Sequence, residues 1–303
     1  MMITNKYIDP FTDFGFKRIF GTEANKHLLI SFLNDLLDID DNIIDLEYRN
    51  LEKLGLNSID RRAIFDVFCT DEKNNHFIVE LQRSKQKYFK DRSLYYTSFP
   101  IQEQSQKGDW DYSLKKIFFV GILDFSMDEY SEDYLTKVQL KDNKNQVFYD
   151  KLTYYYLQMP NFKKKERELS NHLEYWLYYL NHVAESFSIP EILANDQLIT
   201  EAFNVAEFLA LSKDDQFAYQ HDLKKRLDYK NVMNYAKEEA EKKGMKIGIK
   251  QGKAEGKIAG KREGKIEGKM EMAKKLLGKV DIETIASTSG LSIEIVKKLN
   301  NKQ

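Results

Sequence analysis

A single cysteine, Cys69, stands in 303 residues, which excludes an internal disulfide and any zinc site built from several cysteines. Such sparing use of cysteine suits a reducing compartment, so a cytoplasmic setting is expected. No apolar run approaches the roughly 18 residues that a membrane-spanning helix needs. The opening text "MMITNKYIDPFTDFGFKRIF" holds no apolar core of the kind a signal peptide carries, so neither a membrane anchor nor export is expected. Net charge is nearly absent as well, at −1, and by itself points to no partner. What is abundant is apolar and aromatic side chains, 42% and 13%, enough to build a sizeable core and to exclude global disorder. The length suits one large domain or two ordinary ones.

The near-zero net charge hides an asymmetry. Between Lys237 and Lys279, fourteen Lys and Arg stand against seven Glu, a surplus of seven, so the remainder carries about −8. An acidic body with a basic extension is a pattern of chains that meet nucleic acid, and equally of a solvated helix with mixed charge. The same stretch reads "GMKIGIKQGKAEGKIAGKREGKIEGKM", with glycine at every fourth residue from Gly244 to Gly268. On a helix these form a stripe drifting about 40° per step, and each glycine costs up to about 1 kcal/mol against alanine. Two readings stand: close approach to a second helix along the stripe, giving a homo-oligomer, or a charged low-complexity helix produced by repeat expansion. Beyond it, Ala286, Gly290 and Val296 in "DIETIASTSGLSIEIVKKL" have the relative spacing of a helix-turn-helix, with Ser292 as the cap of the second helix. A two-helix cap on the preceding helix fits the same text and needs no base-reading side chains, of which there are few.

Upstream, "DPFTDFGFKRIFG" reads as a short turn and an aromatic-rich segment, and "TEANKHLLISFLNDLL" as a helix capped by Thr22. Residues 43–54 suit an edge strand, and 61–69 and 77–83 two clearer strands. "SKQKYFKDRSLYYTSFPIQEQSQKG" has helical spacing, with Pro100 expected to kink or break it. Its pattern assigns Tyr88, Leu94, Tyr95 and Phe99 to the buried face; the alternative is a basic and aromatic surface that tracks nucleic acid. "KKIFFVGILDF" reads as a strand buried on both faces, and residues 133–159 as a hairpin turning at "KDNKNQ" plus a further strand. After Asn161 the text is helical.

The chemistry concentrates at "RRAIFDVFCTDEKNNHFIVELQ", residues 61–82. An antiparallel hairpin turning at "DEKNN" sets Thr70 opposite His76, Phe68 opposite Ile78 and Asp66 opposite Glu80, so that Asp66, Glu80 and Gln82 share a face. Like charges placed opposite each other repel, and an unpaired buried carboxylate is costly. A divalent cation between them removes both costs, and two carboxylates plus water suit Mg²⁺ or Mn²⁺. The same acids also suit a solubilised edge strand or ion pairs with Arg61 and Arg62, and a register slip of one residue would separate them.

An acid on a helix followed by D-(x)n-(D/E)-x-K on a hairpin is the PD-(D/E)XK nuclease pattern. Asp66, Glu80 and Gln82 fall on its last three positions, with Gln in place of Lys. Together with "DPFTDFGFKRIFG", "LLISFLNDLL", "DRSLYYTS" and the glycine repeat, the chain resembles the recombination-promoting nuclease and transposase family of that superfamily. The resemblance implies an α/β fold: a restriction-endonuclease-like core with a central mixed β-sheet flanked by helices, then an all-helical C-terminal region. The corresponding segments are a nuclease-like core over 1–160, a helical region over 161–236, the basic glycine repeat over 237–279 and a short helix-turn-helix-like cap over 280–303. It implies a Mg²⁺-dependent DNA endonuclease of mobile-element origin. Asp66 and Glu80 would be metal ligands, and Gln82 would orient the attacking water without supplying charge. Asp13 is favoured over Glu23 as the helix acid. Lys85, Lys87 and Arg92 would supply the missing charge or grip phosphates, unless they are simply solvated.

Overall fold

Seven consecutive apolar or glycine residues leave β4, Ile117–Leu123, no polar face to turn to water, and every one of them is buried. It therefore lies inside the sheet, parallel to β3, His76–Gln82, on one side and to β6, Val147–Gln158, on the other. The computed structural model describes residues 5–39, 41–49, 65–105, 108–127 and 132–301. β2, Val67–Asp71, pairs antiparallel with β3, β1, Leu46–Tyr48, with β2, and β5, Leu135–Lys141, with β6. The result is a mixed six-stranded sheet in the order β1-β2-β3-β4-β6-β5. Parallel strands need a crossover, and between β3 and β4 it is supplied by helix α3, Phe89–Glu103.

The β2–β3 hairpin has the expected register, Thr70 opposite His76 and Phe68 opposite Ile78. Its turn is held by Asp71, whose Oδ1 accepts from the backbone N–H of Lys73 and Asn75 at 2.9 and 2.7 Å, while Asn74 takes a left-handed φ of 60°. The described strand begins at Val67; Arg61, Arg62 and Ile64 lie outside the described residues. The edge strand expected over 43–54 is confined, among the described residues, to the three of β1.

Helices cover both faces. On one, α1 (Asp13–Phe20), α2 (Lys26–Leu36), α4 (His172–His182) and α5 (Gln197–Val205) pack Phe20, Phe32, Trp176 and Phe203 into a core shared with Cys69, Val79, Leu81 and Val120 of the sheet. The opening segment is the expected short turn, at Pro10 and Phe11, followed by an aromatic-rich stretch that is a helix: Thr12 caps it by accepting from Gly15 N–H at 2.9 Å. Thr22 was expected to cap the next helix but makes no such bond; a 3₁₀ turn over Glu23–Asn25 intervenes, and α2 starts at Lys26.

The other face is covered by α3, and here the expected phase is wrong. Tyr88, Leu94 and Tyr95 are exposed, and only Phe99 of the four packs against the core. The buried face is Phe89, Ser93, Thr97 and Pro100. Ser93 and Thr97 are buried because their hydroxyls meet those of Tyr156 and Tyr154, each at 2.7 Å, so hydrogen bonding satisfies polar groups that hydrophobic spacing alone sends to the surface. Pro100 does not end the helix, which runs on to Glu103.

Two compact units emerge, Met1–Leu227 and Asp228–Gln303. Helix α6, Lys213–Leu276, begins in the first and continues in the second. In the second unit none of the seven repeat glycines has a neighbour within 4 Å of where a Cβ would stand. Helices α7 (Ile282–Ser289) and α8 (Ile293–Asn300) join at Gly290, whose φ of 64° suits glycine. They bury Ile285, Ala286 and Val296 against Ala273, a two-helix cap on the end of α6. Ser292 holds the N-cap position of α8 without the side-chain hydrogen bond expected of it. No described helix is long and apolar enough to cross a membrane.

Candidate active site

Glu80 and Gln82 are alternate residues near the C-terminal end of β3, and both are only 7% exposed. Asp66 immediately precedes β2. Its backbone N–H donates to Glu80 Oε2 at 3.4 Å, and its own Oδ2 accepts from Leu81 N–H at 2.7 Å. Each carboxylate therefore accepts a backbone N–H from the other's segment, which pins both acids to the same end of the hairpin. Burial raises the pKa of both. Glu80 is pushed up to about 8, first by burial and next by the charge of Asp66, with Arg92 opposing. Asp66 is raised by burial, opposed by the Leu81 N–H, and raised further by the charge of Asp13. Removing a carboxylate from water disfavours its charged form, and a second carboxylate alongside disfavours it again.

Arg92, one turn into α3, brings the compensating charge. Its guanidinium donates to Gln82 Oε1 and, at 2.8 Å, to Gln86 Oε1, and it lies 3.9 Å from Glu80 Oε1. The rings of Phe89 and Tyr96 lie 5.7 and 5.5 Å from it. The other end of the Gln82 amide donates to Ser84 C=O at 2.9 Å. Gln82 is thus committed at both ends, and its oxygen holds a cation rather than standing free for water. Lys85 and Lys87 are exposed on the loop before α3; Lys87 lies over the ring of Tyr88, and neither has an ion pair with the two acids.

Asp13 opens α1 and lines, with Asp66, a cleft of about 480 Å³ whose walls also carry Lys17, Arg18, Asp222 and Lys225. It pairs with Lys17 at 2.9 Å. Glu23 instead pairs with Lys26 at 2.7 Å and is not part of that lining. The Asp13–Lys17 pair carried a signal, the i,i+4 spacing of opposite charges. Asp222 carried none: it accepts from Phe14 N–H at 3.1 Å across 208 residues and lies 3.6 Å from Arg83.

Among the described residues, no three His, Cys, Asp or Glu side chains gather closely enough to hold a metal ion. The two that do meet, Asp66 and Glu80, are hard oxygen donors whose pKa values are raised first by burial, with the neighbouring cations only partly offsetting it. That chemistry fits Mg²⁺ or Mn²⁺, which take few carboxylates and complete their shells with water. No curated protein and no solved structure matches the chain. The family model of the PD-(D/E)XK nuclease family transposases matches residues 10–236, from just before α1 to well into α6, and the chain belongs to that family.

Proposed function

We propose that this protein is a divalent-metal-dependent DNA endonuclease of the recombination-promoting, transposase-related type. The observation that carries the reading is the buried Asp66–Glu80 pair, two acids held together at a cost that a cation would relieve. Asp66 and Glu80 would hold the ion, and Asp13, which lines a cleft together with Asp66, would be the helix acid. When bound, Mg²⁺ or Mn²⁺ supplies Lewis acidity toward the phosphoryl oxygen and lowers the pKa of a coordinated water. Arg92, held by Gln82 and Gln86, presents the positive charge that lysine provides in the PD-(D/E)XK pattern and meets the charge that develops on the phosphorane. Lys85 and Lys87, exposed beside the site, grip flanking phosphates. The glycine-repeat helix joins copies of the chain, as its bare stripe allows.

A second reading, a DNA-binding or assembly protein that keeps the fold without activity, draws on Gln82 and on the absence of a three-acid set among the described residues. Nicking of supercoiled plasmid by the purified chain separates the two. The nuclease reading expects cleavage with Mg²⁺ or Mn²⁺, none in EDTA, and loss in both Asp66→Asn and Glu80→Gln; cleavage undiminished in those variants refutes it.

A further inference from the structure

The parallel strands β3, β4 and β6 end together, with Gln82 opposite Leu123 and Leu123 opposite Gln158. Neighbouring strands lie about 4.8 Å apart, which puts the end of β6 roughly 10 Å from the end of β3. Residues 162–168, "FKKKERE", leave the sheet at this same edge. Buried Phe162 and Leu169 anchor the two ends of the strap, and Lys163, Lys165 and Arg167 between them are exposed. Against α4 the strap encloses a cleft of about 540 Å³ lined by these three cations, Lys164, Tyr178 and His182.

The local charges are unequally matched. Lys164 Nζ is tied at 2.5 Å to Glu174, a buried carboxylate that also accepts from Ser170 N–H and Oγ–H. Glu168 accepts from Lys165 N–H at 2.7 Å and so shapes the turn. Glu166 also lines the cleft. Among the described residues, Lys163, Lys165 and Arg167 have no carboxylate within ion-pair distance. Beside them the rings of Tyr178 and His182 stack in parallel, 4.1 Å apart. Three unpaired cations outnumber the two carboxylates, Glu166 and Glu168, that line the same cleft, and with the aromatic wall beside them they suit a nucleic-acid backbone with adjoining bases.

We propose that this cleft binds a phosphodiester of a nucleic-acid strand, a second contact beyond the Asp66–Glu80 pair on the same edge of the sheet. The proposal rests on the nuclease reading for its substrate. The strand ends set a lower bound on the separation, since the cleft lies against α4 and Glu80 on the face covered by α3. At about 3.4 Å of duplex axis per nucleotide of one strand, a strand passing the end of the sheet meets both at least three steps apart. The second contact fixes how far the bound strand runs past the cut and in which direction it lies.

The test measures binding of a labelled 20-base-pair duplex to the full chain in EDTA, where no cleavage intervenes, across salt concentrations. Each phosphate contact contributes about 0.9 to the slope of log K against log salt. Replacing Lys163, Lys165 and Arg167 together with Gln should flatten the slope by about 0.9, for the one phosphate they share, and weaken binding about fivefold at 0.15 M salt. A control removes three exposed cations from the opposite end of the sheet, Lys115 before β4 and Lys141 and Lys144 at the β5–β6 turn, and should leave the slope unchanged. Equal slopes for wild type and the strap variant overturn the proposal, as does an equal loss in the control or the absence of any duplex binding. Inorganic phosphate or polyglutamate that displaces the duplex at equal charge overturns it in favour of a free anion or an acidic protein. The two readings fail separately: plasmid nicking with an unchanged slope removes the cleft alone, and a flattened slope without metal-dependent nicking removes the nuclease alone.

Discussion

Replacing Glu80 with Gln should stabilise the metal-free protein, and most strongly at high pH. Gln keeps the side chain's shape, and its Oε1 can still accept the Asp66 N–H that Glu80 Oε2 accepts at 3.4 Å. What disappears is a carboxyl that folding pushes up to about 8. Between the ordinary glutamate value near 4.5 and about 8, the folded wild type keeps a proton that the unfolded chain has lost. The folded state then binds more protons, so wild-type stability falls as pH rises through that window. At 1.36 kcal/mol per pH unit, the window from 4.5 to about 8 sets a ceiling of about 5 kcal/mol, with the opposing charge of Arg92 already included in it. For a unit of this size that is a shift of roughly 10 °C in melting temperature.

Trp110 and Trp176, the chain's two tryptophans, both lie in the Met1–Leu227 unit, so intrinsic fluorescence reads the melting of that unit alone. Wild type and Glu80→Gln should melt close together at pH 4.5 and diverge steadily toward pH 8.5, with the variant higher. Mn²⁺ at 100 times its dissociation constant should return about 2.7 kcal/mol to the wild type by mass action and much less to the variant. Parallel melting curves at all pH values, or a Glu80→Gln that is destabilised and indifferent to Mn²⁺, would refute the reasoning and leave Glu80 a structural partner of Arg92.

Three further outcomes follow from the same structure. Arg92→Gln should lower plasmid nicking on the order of 100-fold, and Arg92→Lys should lower it less, because lysine keeps the charge while losing the fork that grips Gln82 and Gln86; equal activities would show that the charge is idle. Gly15→Ala should destabilise the first unit by more than about 2 kcal/mol, since its Cβ would stand 2.1 Å from Asp9 C=O, and an unchanged fluorescence melt would contradict that packing. A chain ending at Lys237 should fall to a lower oligomeric mass by light scattering if the glycine repeat joins copies; identical masses per chain assign the repeat to a solvated helix.

The parts of the site that sequence revealed are those built locally. Five polar residues between two apolar strands set the hairpin turn, alternation set its register, and Asp66 and Glu80 then had to approach. β4 was equally plain, because a run without polar residues can sit only inside a sheet. The aromatic-rich segment after the first turn was not recognised as α1 because eight residues with a glycine at the third position give little helical signal until Thr12 is seen to cap them. The phase of α3 was misread for a different reason: Ser93 and Thr97 are buried by partners more than 50 residues later, and a hydrophobicity pattern holds no record of such bonds.

That same phase decides how Arg92 is used. With Ser93 and Thr97 turned onto the sheet, the adjacent position points along the sheet edge toward Gln82 and Glu80. Had the helix buried Tyr88, Leu94 and Tyr95 instead, the rotation would have carried Arg92 away from the acids. The two tyrosine hydroxyls of β6 therefore do more than fill the core. They select the rotation of α3 that sets a guanidinium beside a buried carboxylate pair, and on the nuclease reading proposed above that guanidinium supplies the positive charge that Gln82 lacks.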